Sequence, residues 1–261
     1  MPLTGMPSAS SPGHPALRHQ LHSIGMGLLL GVAVGPATSA PIAPPVARFA
    51  SYLVSPRQQP IQLFYQDDRG RRFGSLGRLK DWLAQHHQTL LFAMNGGMYR
   101  PGGRPKGLFI QGQKTVVPLD TASGAGNFYL KPNGVFYLTT SRQAGICATG
   151  QFRAGPGVAY ATQSGPLLLH QGRLNPAFRP GSANVAVRNG VGVLPGGQVV
   201  FAMSREPVNF HDFAAYFQRL GCREALYLDG FVSRLYAPAQ GWRQTDGDFG
   251  VIIAVSAAAK P

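Results

Sequence analysis

The chain has 261 residues, with 24 lysines and arginines against 10 aspartates and glutamates, giving a formal charge of +14. Such a field draws polyanions, whether nucleic acid, anionic lipid or a phosphate-bearing glycan. Neither Cys147 nor Cys222 has a second cysteine or a histidine at ligand spacing, which excludes a metal site of the Cys/His kind.

Residues 1–40 contain one charged side chain, Arg18, then the apolar run Ile24–Val34, then small residues ending at Ala40. Basic, apolar and small in that order predict a signal peptide, with a retained N-terminal anchor as the alternative. The run is too short for a stable span, which needs about 20 apolar residues. Removing residues 1–40 leaves a charge of +13 on a periplasmic or secreted protein. Residues 41–60, opening on Pro41 to Pro45, read as a tether and lead-in to a single domain over 61–261. Export speaks against nucleic acid as the partner, and no nucleic-acid-binding motif is present. In an oxidising compartment Cys147 and Cys222 are expected to pair, and two buried free thiols are the plainer alternative.

Arg69-Gly-Arg-Arg72, the densest cationic cluster, reads as a solvated turn. Leu76, Leu79, Trp82 and Leu83 recur at helical spacing and lead into a strand over Leu90–Met94. Asn95-Gly-Gly97 follows; two glycines permit a tight turn whose amides converge on an anion, or an ordinary Asn-Gly hairpin turn. Leu108–Ile110 predicts a strand. Phe128–Leu130 and Val135–Leu138 flank Lys131-Pro-Asn-Gly134, and Val191–Leu194 and Val199–Ala202 flank Pro195-Gly-Gly-Gln198, so both pairs predict hairpins. Gln163-Ser-Gly-Pro166 is a small-residue loop ahead of a strand at Leu167–Leu169.

Within Asn184–Gly192 the apolar Val185 and Val187 face one side and Arg188 the other. A guanidinium there is placed either to grip a phosphate with two parallel hydrogen bonds or simply to meet solvent. Phe210, Phe213, Ala214, Phe217 and Leu220 form one helical stripe, with Asn209 or His211 as N-cap and Gly221 as the C-terminal stop. The strand Ala225–Leu228 then delivers Asp229 to a glycine. Strand ends are where rigid scaffolds present reactive groups, although an aspartate also caps its own turn. Asp246 and Asp248 flank Gly247, a pattern open to calcium ligation but more simply a turn. Val251–Val255 is apolar enough for an interior strand. The fold class is α+β, a mostly antiparallel or mixed β-sheet with a few packed helices.

Six pieces stand in one order: Asn95-Gly-Gly-Met-Tyr99, Gly107-Leu-Phe-Ile110, Asn133-Gly-Val-Phe136, Gln163-Ser-Gly-Pro166, Arg188 with Gly192, and Ala225-Leu-Tyr-Leu-Asp-Gly230 with Ser233. Together they resemble the phosphodiester glycosidase family over residues 90–255. The resemblance implies that Asn95, Gly96, Gly97, Ser164, Gly165, Arg188, Asp229, Gly230 and Ser233 line one pocket, with Lys106 adding charge. It implies a sugar-1-phosphodiester or phosphorylated glycan as substrate. No cofactor and no metal-ligating residue is expected, while the sequence leaves open whether a divalent ion is needed. Phe231 stands where the family carries a second glycine, a departure that bears on which sugar enters. A phosphate monoester leaves without being protonated, so one carboxylate can suffice where ordinary glycosidases need two. The rival reading is a non-catalytic periplasmic protein that binds phosphorylated cell-surface polysaccharide.

Overall fold

The structure, a computed structural model, describes residues 48–259. The signal-peptide reading of residues 1–40 lies outside them, as does the start of the 41–60 tether. Among the described residues sixteen strands form three antiparallel sheets, with two α-helices packed on them. The first sheet runs β1 (Phe49–Val54), β12 (Val199–Ser204), β11 (Asn189–Val193), β13 (Glu224–Tyr227), β9 (Leu167–His170) and β10 (Arg173–Leu174). The second runs β15 (Trp242–Arg243), β14 (Leu235–Ala237), β3 (Gln88–Gly97), β16 (Val251–Ala258) and β2 (Ile61–Phe64). The third runs β5 (Lys114–Val117), β4 (Phe109–Gln111), β8 (Val158–Ser164), β6 (Gly134–Thr139) and β7 (Ala144–Ala148). β1 pairs along its whole length with β12, so the fold begins inside the span read as tether.

Side-chain alternation makes the layers. Phe92 and Met94 of β3, Phe201 and Met203 of β12, Val251, Ile253 and Val255 of β16, and Phe136 of β6 enter one central core shared by all three sheets. The intervening residues face outward but are covered. Ala93, Ile252 and Ala254 pack under α1 (Leu76–Gln85), and Val200, Ala202 and Ala225 under α2 (Phe210–Arg219). Strands buried on both faces read as near-continuous apolar runs, and each fully buried large side chain stabilises by roughly 1.5–3 kcal/mol. Ser75 caps α1, Asn209 caps α2 through the Asp212 N–H, and Gly221 follows α2 with φ +84°, as its stop position demands. Gly190 and Gly192 of β11 face α2; a Cβ on Gly192 would lie 2.7 Å from both Cys222 Sγ and the Phe217 ring.

Two local expectations change. Asn95-Gly-Gly97 is not a turn but the end of β3, bulged against β16 so that Asn95 opposes Ile252 and Gly97 opposes Val251. Its glycines are needed for space: a Cβ on Gly96 would strike the Ile253 side chain, and one on Gly97 would sit 2.6 Å from Thr162 Oγ1. Phe128 likewise belongs to no hairpin. Asn127–Tyr129 is a short 3-10 turn held by the Asn133 amide donating to the Phe128 carbonyl (2.9 Å), and β6 pairs with β7 and β8 instead. The second hairpin forms as expected, with Val193 opposite Val199.

Cys147 and Cys222 are both free thiols, correcting the expected disulfide, because they belong to separate clusters. Cys147 sits at the edge of the packing outside the third sheet and Cys222 under α2. Burial pushes the Cys222 thiol up to about 11. Thiol titration of protein denatured without reductant is therefore expected to find two reactive groups per chain, and titration of native protein to find Cys222 silent.

Candidate active site

The ends of β3, β11 and β13 meet at a buried pair of amides. The Asn95 Nδ2 donates to the Asp229 carbonyl (2.7 Å), and the Asn95 Oδ1 accepts from Asn189 Nδ2 (2.9 Å) and the Arg234 N–H (3.0 Å). Asn189 in turn donates to the Asn95 carbonyl (2.9 Å) and accepts the Asp229 N–H at its own Oδ1 (2.8 Å). Both peptide faces of Asp229 are thus held by side chains from two different sheets. Below them Ser164, at the end of β8, donates its hydroxyl to the Leu228 carbonyl (2.6 Å), bringing in the third sheet. Polar groups this deep must be paired, and here each bond also fixes a strand end.

Asp229 leaves β13 and caps the 3-10 turn Gly230–Val232, its Oδ1 accepting from the Phe231 N–H at 3.3 Å. It is 8% exposed, and among the described residues no cation pairs with it. Burial pushes its carboxyl up to about 6. Gly230 is required because a Cβ would strike the Tyr227 hydroxyl and come within 2.6 Å of the Val187 carbonyl. That Tyr227 hydroxyl accepts from the Gly230 N–H (2.7 Å). Burial raises the Tyr227 phenol above its ordinary range; Arg188 pulls it down and the Asp229 charge pushes it up. Tyr99 is raised by burial first, then by the charges of Asp229 and Asp248, against Arg72, so these groups lie in one electrostatic neighbourhood.

Arg188 does not face outward. It is 1% exposed, with Nε donating to the Val208 carbonyl (2.7 Å) and Nη2 to the Asn184 carbonyl and Oδ1 (2.8 and 3.0 Å). Its guanidinium lies 3.6 Å from the Phe210 ring centre and 5.5 Å from that of Tyr227. Among the described residues no carboxylate pairs with it, so a positive charge sits directly beneath Tyr227. Ser233 donates to the Gly230 and Val187 carbonyls (3.3 and 3.4 Å), closing the turn that carries Asp229.

Asn95, Ser164, Gly230, Ser233 and Asp229 are therefore brought together, Arg188 through Tyr227, and Gly96 and Gly97 as the close-packed end of β3. Gly165 packs where a Cβ would lie 2.6 Å from that of Asn133. Lys106 is directed elsewhere, its ammonium 5.0 and 4.6 Å from the Phe128 and Tyr129 ring centres. Phe231 is 95% exposed, in the turn that Asp229 caps. Asp246 and Asp248, weighed above as calcium ligands, pair with Arg234 and Arg72. Asn189, Tyr227 and Tyr99 were not singled out from sequence. Tyr227 and Tyr99 lie inside two of the six motif pieces, whereas nothing local distinguishes Asn189.

The profile of the phosphodiester glycosidase family matches residues 88–251. The chain belongs to that family. It is 35% identical over 201 residues to the uncharacterized protein YigE of Escherichia coli, covering 77% of this chain and 78% of that one. Its fold is that of the catalytic domain of zebrafish N-acetylglucosamine-1-phosphodiester alpha-N-acetylglucosaminidase, solved auto-inhibited by its pro-peptide. The TM-score is 0.56 at 12% identity, over 83% of this chain and 85% of that one. Family membership supports a hydrolase acting on a glycan-type substrate. Among the described residues no helix is long and apolar enough to cross a membrane.

Asn95→Ala tests the amide pair. It leaves the Asp229 carbonyl and the Arg234 N–H without their side-chain partner and takes one acceptor from Asn189, so a loss of about 2–4 kcal/mol in unfolding free energy is expected by urea titration. A loss under about 0.5 kcal/mol would show that the network does not hold the strand ends.

Proposed function

We propose that this protein is an exported hydrolase that cleaves the bond between a sugar and a phosphate in a sugar-1-phosphodiester or phosphorylated glycan. The observation that carries the reading is Asp229: a buried carboxyl group with no cationic partner among the described residues, gripped through its backbone by Asn95 and Asn189, in a chain of the phosphodiester glycosidase family. Such a group is costly to the fold and is what a site acting on a developing sugar cation requires. Above pH about 6 it is an anion, placed to stabilise the oxocarbenium ion or attack the anomeric carbon. The leaving phosphate monoester carries its own charge away and needs no acid.

The other residues act around that carboxylate. Asn95 is a positioning residue, holding the Asp229 peptide against Asn189. Gly96, Gly97, Gly165 and Gly230 let strand ends approach closely, and Ser164 and Ser233 lock the backbone on either side. Arg188 supplies positive potential from beneath Tyr227, and Lys106 adds charge to the surrounding field. Export rests on the basic, apolar and small order of residues 1–40. Mass measurement of protein from the exported fraction is expected to find a chain beginning near Pro41, and an intact Met1 would defeat it.

Asp229→Asn removes the charge and keeps the shape. Release of free sugar from a sugar-1-phosphodiester is expected to fall at least about a thousandfold, with calorimetric binding of the same compound retained. Full activity in the variant would overturn the assignment. A parent protein that binds the compound and never cleaves it would favour the binding-protein reading.

The same substitution carries a stability signature. The folded carboxyl, at about 6, stands above its unfolded value of 3.8, so its contribution is fully present below pH about 4 and is lost as pH rises through about 6. Asp229→Asn is therefore expected to raise unfolding free energy by about 1–3 kcal/mol near pH 7 and by nothing near pH 4. In the parent, kcat/KM is expected to fall about tenfold per pH unit below about 6, where the carboxyl takes up its proton.

A further inference from the structure

A site that releases a phosphate needs a cation able to touch it, and the two cations carried over from the family motifs are engaged elsewhere. Arg188 is buried against the Val208 and Asn184 carbonyls, and Lys106 lies over Phe128 and Tyr129. Arg234 is placed differently. Its backbone N–H is bound by the Asn95 Oδ1, the same oxygen that anchors Asn189, and it follows Ser233 directly. Its guanidinium folds back so that Nη1 donates to the Ser233 carbonyl (3.0 Å) while Nε meets Asp246 Oδ2 (2.8 Å). The side chain stays 37% exposed and the Asp246 side chain 63% exposed.

Two residues on, Asp248 holds Arg72 at 2.6 Å, and Arg72 also donates to the Phe249 carbonyl (2.9 Å). Gly247 between the two aspartates adopts φ +125°, which a side chain would not tolerate, so this turn is shaped to aim one carboxylate at each arginine. The Asn95 side chain that accepts from the Arg234 N–H also donates to the Asp229 carbonyl (2.7 Å), which places Arg234, and the turn paired with it, next to the segment that carries Asp229.

Resting on the hydrolase reading above, we propose that Arg234, supported by Arg72, is the phosphate subsite, and that the turn Asp246-Gly-Asp248 occupies it as an internal anion until a phosphoryl group displaces Asp246. An exposed pair such as Arg234–Asp246 contributes little net free energy, whereas a phosphoryl group offers more acceptor oxygens and more charge to the same fork. Exchanging one anion for the other leaves no cation bare. The freed Asp246 carboxylate moves into water, and the overall positive charge of the chain draws the incoming ligand.

The test is calorimetric binding of inorganic phosphate to the full chain, which reads the subsite whether or not the protein is a hydrolase. Arg234→Gln is expected to weaken binding about tenfold and Asp246→Asn, which removes the competing anion, to strengthen it severalfold. Arg57→Gln, the loss of an exposed arginine not involved in the site, is expected to change little. Equal losses for Arg234→Gln and Arg57→Gln, no gain in Asp246→Asn, or no binding by the parent at millimolar phosphate would each overturn the subsite. If Arg234→Gln fails to fold, Asp246→Asn alone decides. With a sugar-1-phosphodiester, Arg234→Gln is expected to raise KM about tenfold with a smaller change in kcat. Hydrolysis with unaltered phosphate affinity in both variants sinks the subsite and spares the hydrolase; phosphate binding that follows Arg234 without any hydrolysis does the reverse.

Discussion

Everything at the site hangs on two amide side chains meeting out of water. Asn95 ends a strand of one sheet and Asn189 begins a strand of another, and between them they satisfy both the N–H and the carbonyl of Asp229. An amide offers two donors and an acceptor oxygen with two lone pairs, enough to tie three strand ends without placing a charge in the interior. A carboxylate or an ammonium in either position would bring the desolvation cost of an ion; a hydroxyl would leave one peptide group unmatched. The three sheets therefore do more than share a core. Their edges converge on one peptide unit, and the side chain it carries is held where an anion is expensive.

The electrostatics around that peptide run in one direction. Burial raises the proton affinity of Asp229, while the buried cation Arg188 bonds only to neutral oxygens and stacks on Phe210. Had the two formed a direct pair, the carboxyl would be held well below its ordinary range and each charge would quench the other. Tyr227, which accepts from the Gly230 N–H, answers to both, the Arg188 charge lowering its phenol and the Asp229 charge raising it. Among the described residues the fold therefore holds a negative group and a positive group, neither paired with an opposite charge, at a cost in stability.

What the sequence disclosed and what it hid divide by range. Leu76, Leu79 and Leu83 could be read as a helix because the period is local, and Ala225–Leu228 as a strand because nothing else suits four apolar residues ahead of Asp-Gly. Asn189 was invisible: its partners lie 94 and 40 residues away, and no short pattern marks an amide that will meet them. Asn95-Gly-Gly97 carried a strong local turn signal that tertiary packing overrode, since the glycines answer to Ile253 and Thr162 and not to a reversal of the chain. Phe128 was misplaced for a related reason, its ring being claimed by Lys106 and its carbonyl by Asn133. The order of the motif pieces was legible even so, because each piece is a short run of neighbours along the chain, although what joins Asn95 to Asp229 appears only in three dimensions.

The position of β16 sets the timing of folding. It lies between β3 and β2, pairing Val251 with Gly97 at one end and Ala258 with Gln88 at the other. Until that strand is available the second sheet has a gap through its middle, α1 covers an unfinished surface, and the Asn95 end of β3 lacks one of its flanks. Pairings that span so much chain are slow to close. A nascent molecule thus cannot assemble the surroundings of Asp229 early: synthesis must reach β16 before that carboxyl acquires the burial that makes it unusual. Until then the edges of β3 and β2 that β16 will pair stay open to water, the condition in which a partly made chain is most prone to aggregate.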